Sequence, residues 1–155
     1  MKGYVQIYTG DDEDAAPELG LCLRAAGAGL KVLVIECIEN DRDSTIKTLE
    51  RFSEHVAVEQ CGTGRQALDR IRRAVSEGRY DLVVLDKGNA AVDRGLFPAE
   101  DLLEIIRNRP SPVELVITGK GADPRILEAA DLVTEMTRVK HQSKRGERVG
   151  NGIQN

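Results

Sequence analysis

Residues 31–38 read KVLVIECI, and this nearly continuous apolar run decides the fold. A strand with one face in water alternates apolar and polar residues, whereas a strand covered on both faces need not. Cover on both faces marks a parallel sheet, because its crossover helices pack on either side. Residues 80–86, YDLVVLD, repeat the pattern and form the strongest strand signal in the chain.

Working outward, Tyr4–Thr9 (YVQIYT) reads as a first strand ending at Gly10. Leu19, Cys22, Leu23 and Ala26 then recur at helical spacing until Gly27 and Gly29 stop the helix. Asp43 or Ser44 can cap a helix running to about Glu54, with Ile46, Leu49 and Phe52 inward. Val56–Gln60 reads as a short strand. Leu68, Ile71 and Val75 define another helix, whose outer face carries Arg65, Arg70, Arg72 and Arg73. Pro98 opens a helix through Leu102, Leu103, Ile105 and Ile106 that ends before Pro110. Val113–Thr118, Pro124–Ala130 and Leu132–Met136 read as strand, short helix and strand. Strands alternate with helices throughout, which predicts an α/β, three-layer architecture: a mostly parallel sheet with helices on both faces. One domain is expected over residues 1–141, followed by a polar tail over 142–155.

The chain has 155 residues, 41% of them hydrophobic, enough to bury a core. With no Trp, two Phe and three Tyr, that core must be mainly aliphatic. A net charge of -4 argues against non-specific nucleic-acid binding, which relies on Lys and Arg at phosphates. No stretch approaches the length of a membrane span. The opening Met1-Lys2-Gly3-Tyr4 leads straight into a strand without a signal peptide, so a cytoplasmic protein is expected. Three cysteines without CxxC spacing argue against a disulfide framework and against a zinc site. Cys22 and Cys37 read as small buried hydrophobes, while Cys61, beside a Gly turn, is the one open to exposure.

Ligands of such sheets bind at the carboxyl ends of the strands. Four segments fall there: Gly10–Asp14, Gly62–Gly64, Asp86–Asn89 and Thr118–Ala122. A phosphate loop needs glycines to bend backbone N–H groups around oxygens, a Lys for charge and a Ser or Thr for Mg²⁺. After Gly10 the chain instead has Asp11-Asp12-Glu13-Asp14-Ala15-Ala16-Pro17. These acids have two readings. They complement the N-terminus of the following helix, each contact contributing on the order of 0.3–1 kcal/mol. Alternatively, Asp11, Asp12 or Asp14 joins Asp86 around a divalent cation. Asp86 ends an apolar strand as a Walker-B Asp does, or simply starts a loop. Thr118-Gly119-Lys120-Gly121-Ala122 is either a tight turn or a close backbone approach to a ligand, with Lys120 supplying charge. Lys140, His141, Lys144, Arg145 and Arg148 form a solvated basic tail or a cover over an anion. His55 reads as a surface residue.

Together these segments resemble the ATP:corrinoid adenosyltransferases of the P-loop type. The matching residues are Tyr8-Thr9-Gly10-Asp11, Leu19-Gly20-Leu21, Leu23 to Gly27, Gly29 to Leu33, Tyr80 to Asp86 with Asn89 and Gly95-Leu96. Glu114 to Gly119 with Gly121-Ala122, Ala130 to Met136, Val139-Lys140-His141 and Gly152-Ile153 continue the match over nearly the whole chain. The resemblance implies a RecA-like P-loop fold and transfer of the 5′-deoxyadenosyl group of ATP to cob(I)alamin. ATP, Mg²⁺ and a corrinoid are the implied ligands. The implied nucleotide and Mg²⁺ site is Thr9, Gly10, Asp11, Asp86, Asn89, Thr118, Gly119, Lys120, Lys140 and His141.

The departures from the family pattern are concentrated where the chemistry lies. A Gly-Lys-Gly-Lys-Thr-Thr type loop is replaced by Asp12 to Pro17, and an Asp-Glu pair by Asp86-Lys87. An Arg between two glycines is Lys120, and a Pro after His141 is Gln142. The longer aromatic segment after the Gly-x-Gly turn is missing, since Gly62-Thr63-Gly64 passes almost directly into the Arg65–Glu77 helix. Three outcomes follow as expectations. One is a non-catalytic homologue. The second is an active transferase using Lys87, Lys120, Lys140 and His141 on phosphates. The third is an interaction subunit that pairs with itself, as a homodimer, or with an active homologue.

Overall fold

The computed structural model describes residues 2–11, 15–38, 48–49, 51 and 54–140. Six strands, β1 Val5–Gly10, β2 Val32–Glu36, β3 Val56–Gln60, β4 Leu82–Asp86, β5 Glu114–Thr118 and β6 Leu132–Met136, form one sheet. Their order is β3-β2-β4-β5-β1-β6, and every neighbouring pair is parallel. The helices are α1 Pro17–Gly27, α2 Gly64–Ser76, α3 Gly88–Asp93, α4 Ala99–Asn108 and α5 Pro124–Ala129. This is the α/β, P-loop NTPase-like architecture expected from the alternation of strands and helices.

The period-2 geometry of the strands divides the aliphatic residues between two cores. Val32, Val34, Val84 and Val116 face α1, through Cys22, Ala25 and Ala26. Leu33, Ile35, Leu85 and Ile117 face the opposite layer, through Ile71 of α2, Leu102 of α4 and Ile126 of α5. All five residues of β2 are buried, as the run at 31–38 implied. β6 lies at the edge of the sheet, which leaves Leu132 and Val133 exposed.

Several sequence expectations shift. The expected helix over 43–54 lies mostly outside the described residues; Thr48 and Leu49 are helical, Leu49 is buried, and Glu54 is already in a turn. The stretch after Asp86, read as a loop, holds α3. Cys61 is buried at 3% exposure rather than open to solvent, because its chain lies under α2 in the core. His55 is half-buried, and its carbonyl accepts from Val32 N–H at 2.8 Å.

Ile117 is fully buried at the centre of the sheet. Ile117→Ala should cost about 2–5 kcal/mol and Ile117→Val about 0.5–1.5 kcal/mol, read as shifts in the urea unfolding midpoint.

Candidate functional site

The sequential order of the strands differs from their spatial order, and this brings three separated exits together. β5 lies between β1 and β4, so the chain leaves β1 at Gly10, β4 at Asp86 and β5 at Thr118 along one edge. A small cleft of about 40 Å³ opens there. Thr9, Gly10, Asp86, Thr118, Gly119 and Lys120 all line it, so six of the expected site residues meet. Pro17, Glu18 and Lys87 complete its polar and helical wall.

The β4 and β5 exits are locked by side chains. Lys87 N–H donates to Thr118 Oγ1 at 2.9 Å, and the Thr118 hydroxyl donates to Asp86 Oδ1 at 3.3 Å. The Thr118 hydroxyl thus serves as acceptor and donor at once. Lys87 adopts the left-handed conformation, φ 57° and ψ 25°, which costs a non-glycine residue on the order of 1–3 kcal/mol. Among the described residues only Ala16, φ 37°, shares a positive φ without being glycine, and it immediately precedes Pro17. Both strained residues therefore flank the cleft.

Asn89 lies in the wall and not in the cleft. It is fully buried, and its Nδ2 donates to the carbonyls of Ile117 at 3.4 Å and Gly119 at 3.1 Å. Its role is to pin the β5 exit to α3. Gly119 itself has φ 110°, and a Cβ there would come within 3.1 Å of Ala90 N. Of the two readings of this turn, the tight turn with positive φ is the one seen at Gly119.

At the β1 exit the described residues turn toward β6. Gly10 has φ 113°, and a Cβ there would fall 2.2 Å from Met136 O, so the backbone is pressed against β6. Asp11 N–H donates to Met136 O at 3.1 Å, and Asp11 Oδ1 accepts from Arg138 N–H at 3.3 Å. Asp11 is thereby engaged with the chain after β6. α1 begins with Ala16 at its cap, which offers no side-chain acceptor, and with Pro17, which has no N–H. Glu18 adds an acid in the first turn.

The remaining expected residues fall elsewhere. Lys140 is exposed and does not line the cleft. Asp12, Asp14 and His141 lie outside the described residues. Among the described residues no group of three or more His, Cys, Asp or Glu is placed to hold a metal ion. The Gly62–Gly64 turn is absent from the cleft lining. Two of the four arginines of α2 are ion-paired: Arg70 with Glu59 at 2.8 Å, and Arg72 with Asp69 and Glu104, each at 3.3 Å. This matches a solvated, ion-paired face.

One polar residue of this edge escaped the sequence reading. Glu36 is buried at the end of β2, in register with Asp86 on β4 and Gln60 on β3. Gln60 Nε2 donates to Glu36 Oε2. Its one signal was a carboxylate inside an otherwise apolar run. Tyr8, the other polar neighbour, donates from its hydroxyl to Gln6 Oε1 at 2.8 Å, and burial pushes its phenol pKa upward.

Comparison with known proteins adds ancestry to this geometry. The family described as ATP:corrinoid adenosyltransferase BtuR/CobO/CobP matches residues 1–154. A corrinoid adenosyltransferase of Pseudomonas aeruginosa is 31% identical over 99% of this chain and 84% of its own length. One of Escherichia coli K12 is 27% identical over 98% of this chain and 85% of its own. An uncharacterized protein of Nostoc, all2391, is 27% identical over 91% of this chain but only 45% of its own.

Thr118→Val keeps the side-chain shape and deletes the hydroxyl. It should cost about 1–3 kcal/mol by leaving Lys87 N–H without its acceptor, measured by chemical denaturation.

Proposed function

We propose that this chain, which belongs to the ATP:corrinoid adenosyltransferase family, is a non-catalytic member that keeps the scaffold and a remnant polar cleft. The observation that carries the proposal is the start of α1. A triphosphate cradle there requires converging N–H donors, a cation and a hydroxyl. This helix instead starts with Ala16, Pro17 and Glu18, after a segment holding Asp11, Asp12, Glu13 and Asp14. The site therefore does not fit MgATP in the family manner.

Magnitudes favour this reading. Each charge-assisted hydrogen bond to a phosphate contributes roughly 1.5–3 kcal/mol, and loss of the loop Lys, the Thr and the glycine geometry removes several. Carboxylates near the same point add repulsion. Lys87 and Lys120 do line the cleft, and they support a second reading, an active transferase with an altered ATP placement. In that reading Asp86 holds Mg²⁺, and Lys140 and His141 reach the phosphates. Two lysines offset only part of what the loop has lost. The paired arginines of α2 give little support to an interaction subunit or homodimer. A cytoplasmic domain over residues 1–141 with a polar tail belongs to the same proposal.

Incubation of the folded chain with chemically reduced cobalamin and MgATP should yield no adenosylcobalamin above the protein-free background, followed by its absorption spectrum. Product formed in proportion to protein concentration would reject the proposal in favour of the second reading.

A further inference from the structure

Two of the three cysteines are neighbours in the sheet. β2 and β3 pair in parallel, with Glu36 opposite Gln60, so Cys37 and Cys61 occupy the next paired position. Cys61 N–H donates to Glu36 O at 2.9 Å, which carries the pairing one residue past the strand ends. Residues in parallel register point to the same face, and both cysteines belong to the same core with Ile35 and Ile71. Neighbouring strands lie about 4.8 Å apart, inside the roughly 4.4–6.8 Å between α-carbons that a disulfide spans. Both thiols are free.

Access is one-sided. Cys37 is interior, and Cys61, although nearly buried, lines a surface groove of about 770 Å³ with Arg70 and Arg73. The Cys37 thiol donates to Ile35 O at 3.7 Å. The neighbouring Cys37 and the Arg70 guanidinium lower the Cys61 thiol against the opposing effect of burial, while the same pairing and burial hold the Cys37 thiol high. A thiolate is the attacking form in disulfide exchange.

We propose that Cys37 and Cys61 are a redox-active dithiol, with Cys61 the attacking and Cys37 the resolving cysteine, that closes to a disulfide between the ends of β2 and β3. The oxidant is a low-molecular-weight disulfide such as glutathione disulfide. Cys61 thiolate attacks one of its sulfurs, forms a mixed disulfide and releases one glutathione thiolate. Cys37 then attacks Cys61 Sγ, the Cys61–glutathione bond breaks, and the departing glutathione sulfur takes the Cys37 proton. Two protein thiols lose two electrons and one glutathione disulfide gains them. The bond would lie against the candidate site, because Cys37 N–H donates to Asp86 O at 2.9 Å. A Cβ at Gly88 would sit 3.9 Å from Cys37 Sγ.

The test uses the native full chain in glutathione disulfide, followed by acid quenching, alkylation and tryptic mapping. Cys37 falls in peptide 32–42, Cys61 in 52–65 and Cys22 in 3–24, so the three are separable. The expected result is peptide 32–42 joined to 52–65, loss of two of the three free thiols, and full reversal by dithiothreitol. Cys22 should stay reduced, since it is fully buried in the core on the opposite face of the sheet from Cys37 and Cys61. Cys37→Ser should stop at glutathione on Cys61, and Cys22→Ser should leave the bond intact. If Cys37→Ser proves unfolded by circular dichroism, the wild-type map and Cys37→Ala decide. A bond involving Cys22, a mixed disulfide that persists in the wild type, or three unreacted thiols under conditions that oxidise the unfolded chain would each overturn the proposal.

Discussion

Parallel strands cannot be joined by a tight turn, and this restriction organises the whole molecule. Each strand must be followed by a crossover that returns to the same starting edge, so every strand exit lies on the opposite one. The register then decides which exits touch. Tyr8 on β1 pairs with Thr118, and Leu85 on β4 pairs with Ile117, so β5 carries its Thr118 between the other two exits. The hydrogen bond from Thr118 to Asp86 and the carboxamide of Asn89 on Ile117 and Gly119 follow from that register. Strain at Lys87 is tolerated because these contacts over-determine its backbone.

Burial of aliphatic side chains on both faces of the sheet demands little from the residues at the carboxyl edge. The loop after β1 belongs to that edge. There Gly10 is pressed against Met136, and Asp11 binds the chain after β6. The β4 and β5 exits bring Asp86, Lys87, Thr118 and Lys120 to the cleft, while α1 at the β1 exit starts with Pro17 and Glu18.

The sheet was legible in the sequence because its signal is redundant. The run at 31–38, the strand at 80–86 and the helical spacing of Leu68, Ile71 and Val75 each point to the same layers. That Thr9, Gly10, Asp86, Thr118, Gly119 and Lys120 would share one edge was also legible, because parallel strands place their exits together. What escaped depends on contacts distant in sequence. α3 has six residues, too few for a helical period to show, and starts at Gly88, where a Cβ would come within 2.9 Å of Ile117 Cγ2. Glu36 was hidden by its apolar neighbours, although its place beside Asp86 is fixed by register. Cys61 was misread because a Gly turn beside it suggested exposure, whereas α2 covers it. Its pairing with Cys37 could not be inferred before β2 and β3 were known to be adjacent.

The central claim is that the edge of this sheet has lost its polyphosphate cradle. Isothermal titration of the folded chain with MgATP addresses it most directly, independently of any turnover. The account predicts no saturable heat at micromolar nucleotide. Saturable micromolar binding that a charge-reversing substitution at Lys87 or Lys120 weakens at least tenfold, about 1.4 kcal/mol, would contradict it, because it would show a working phosphate site at this edge.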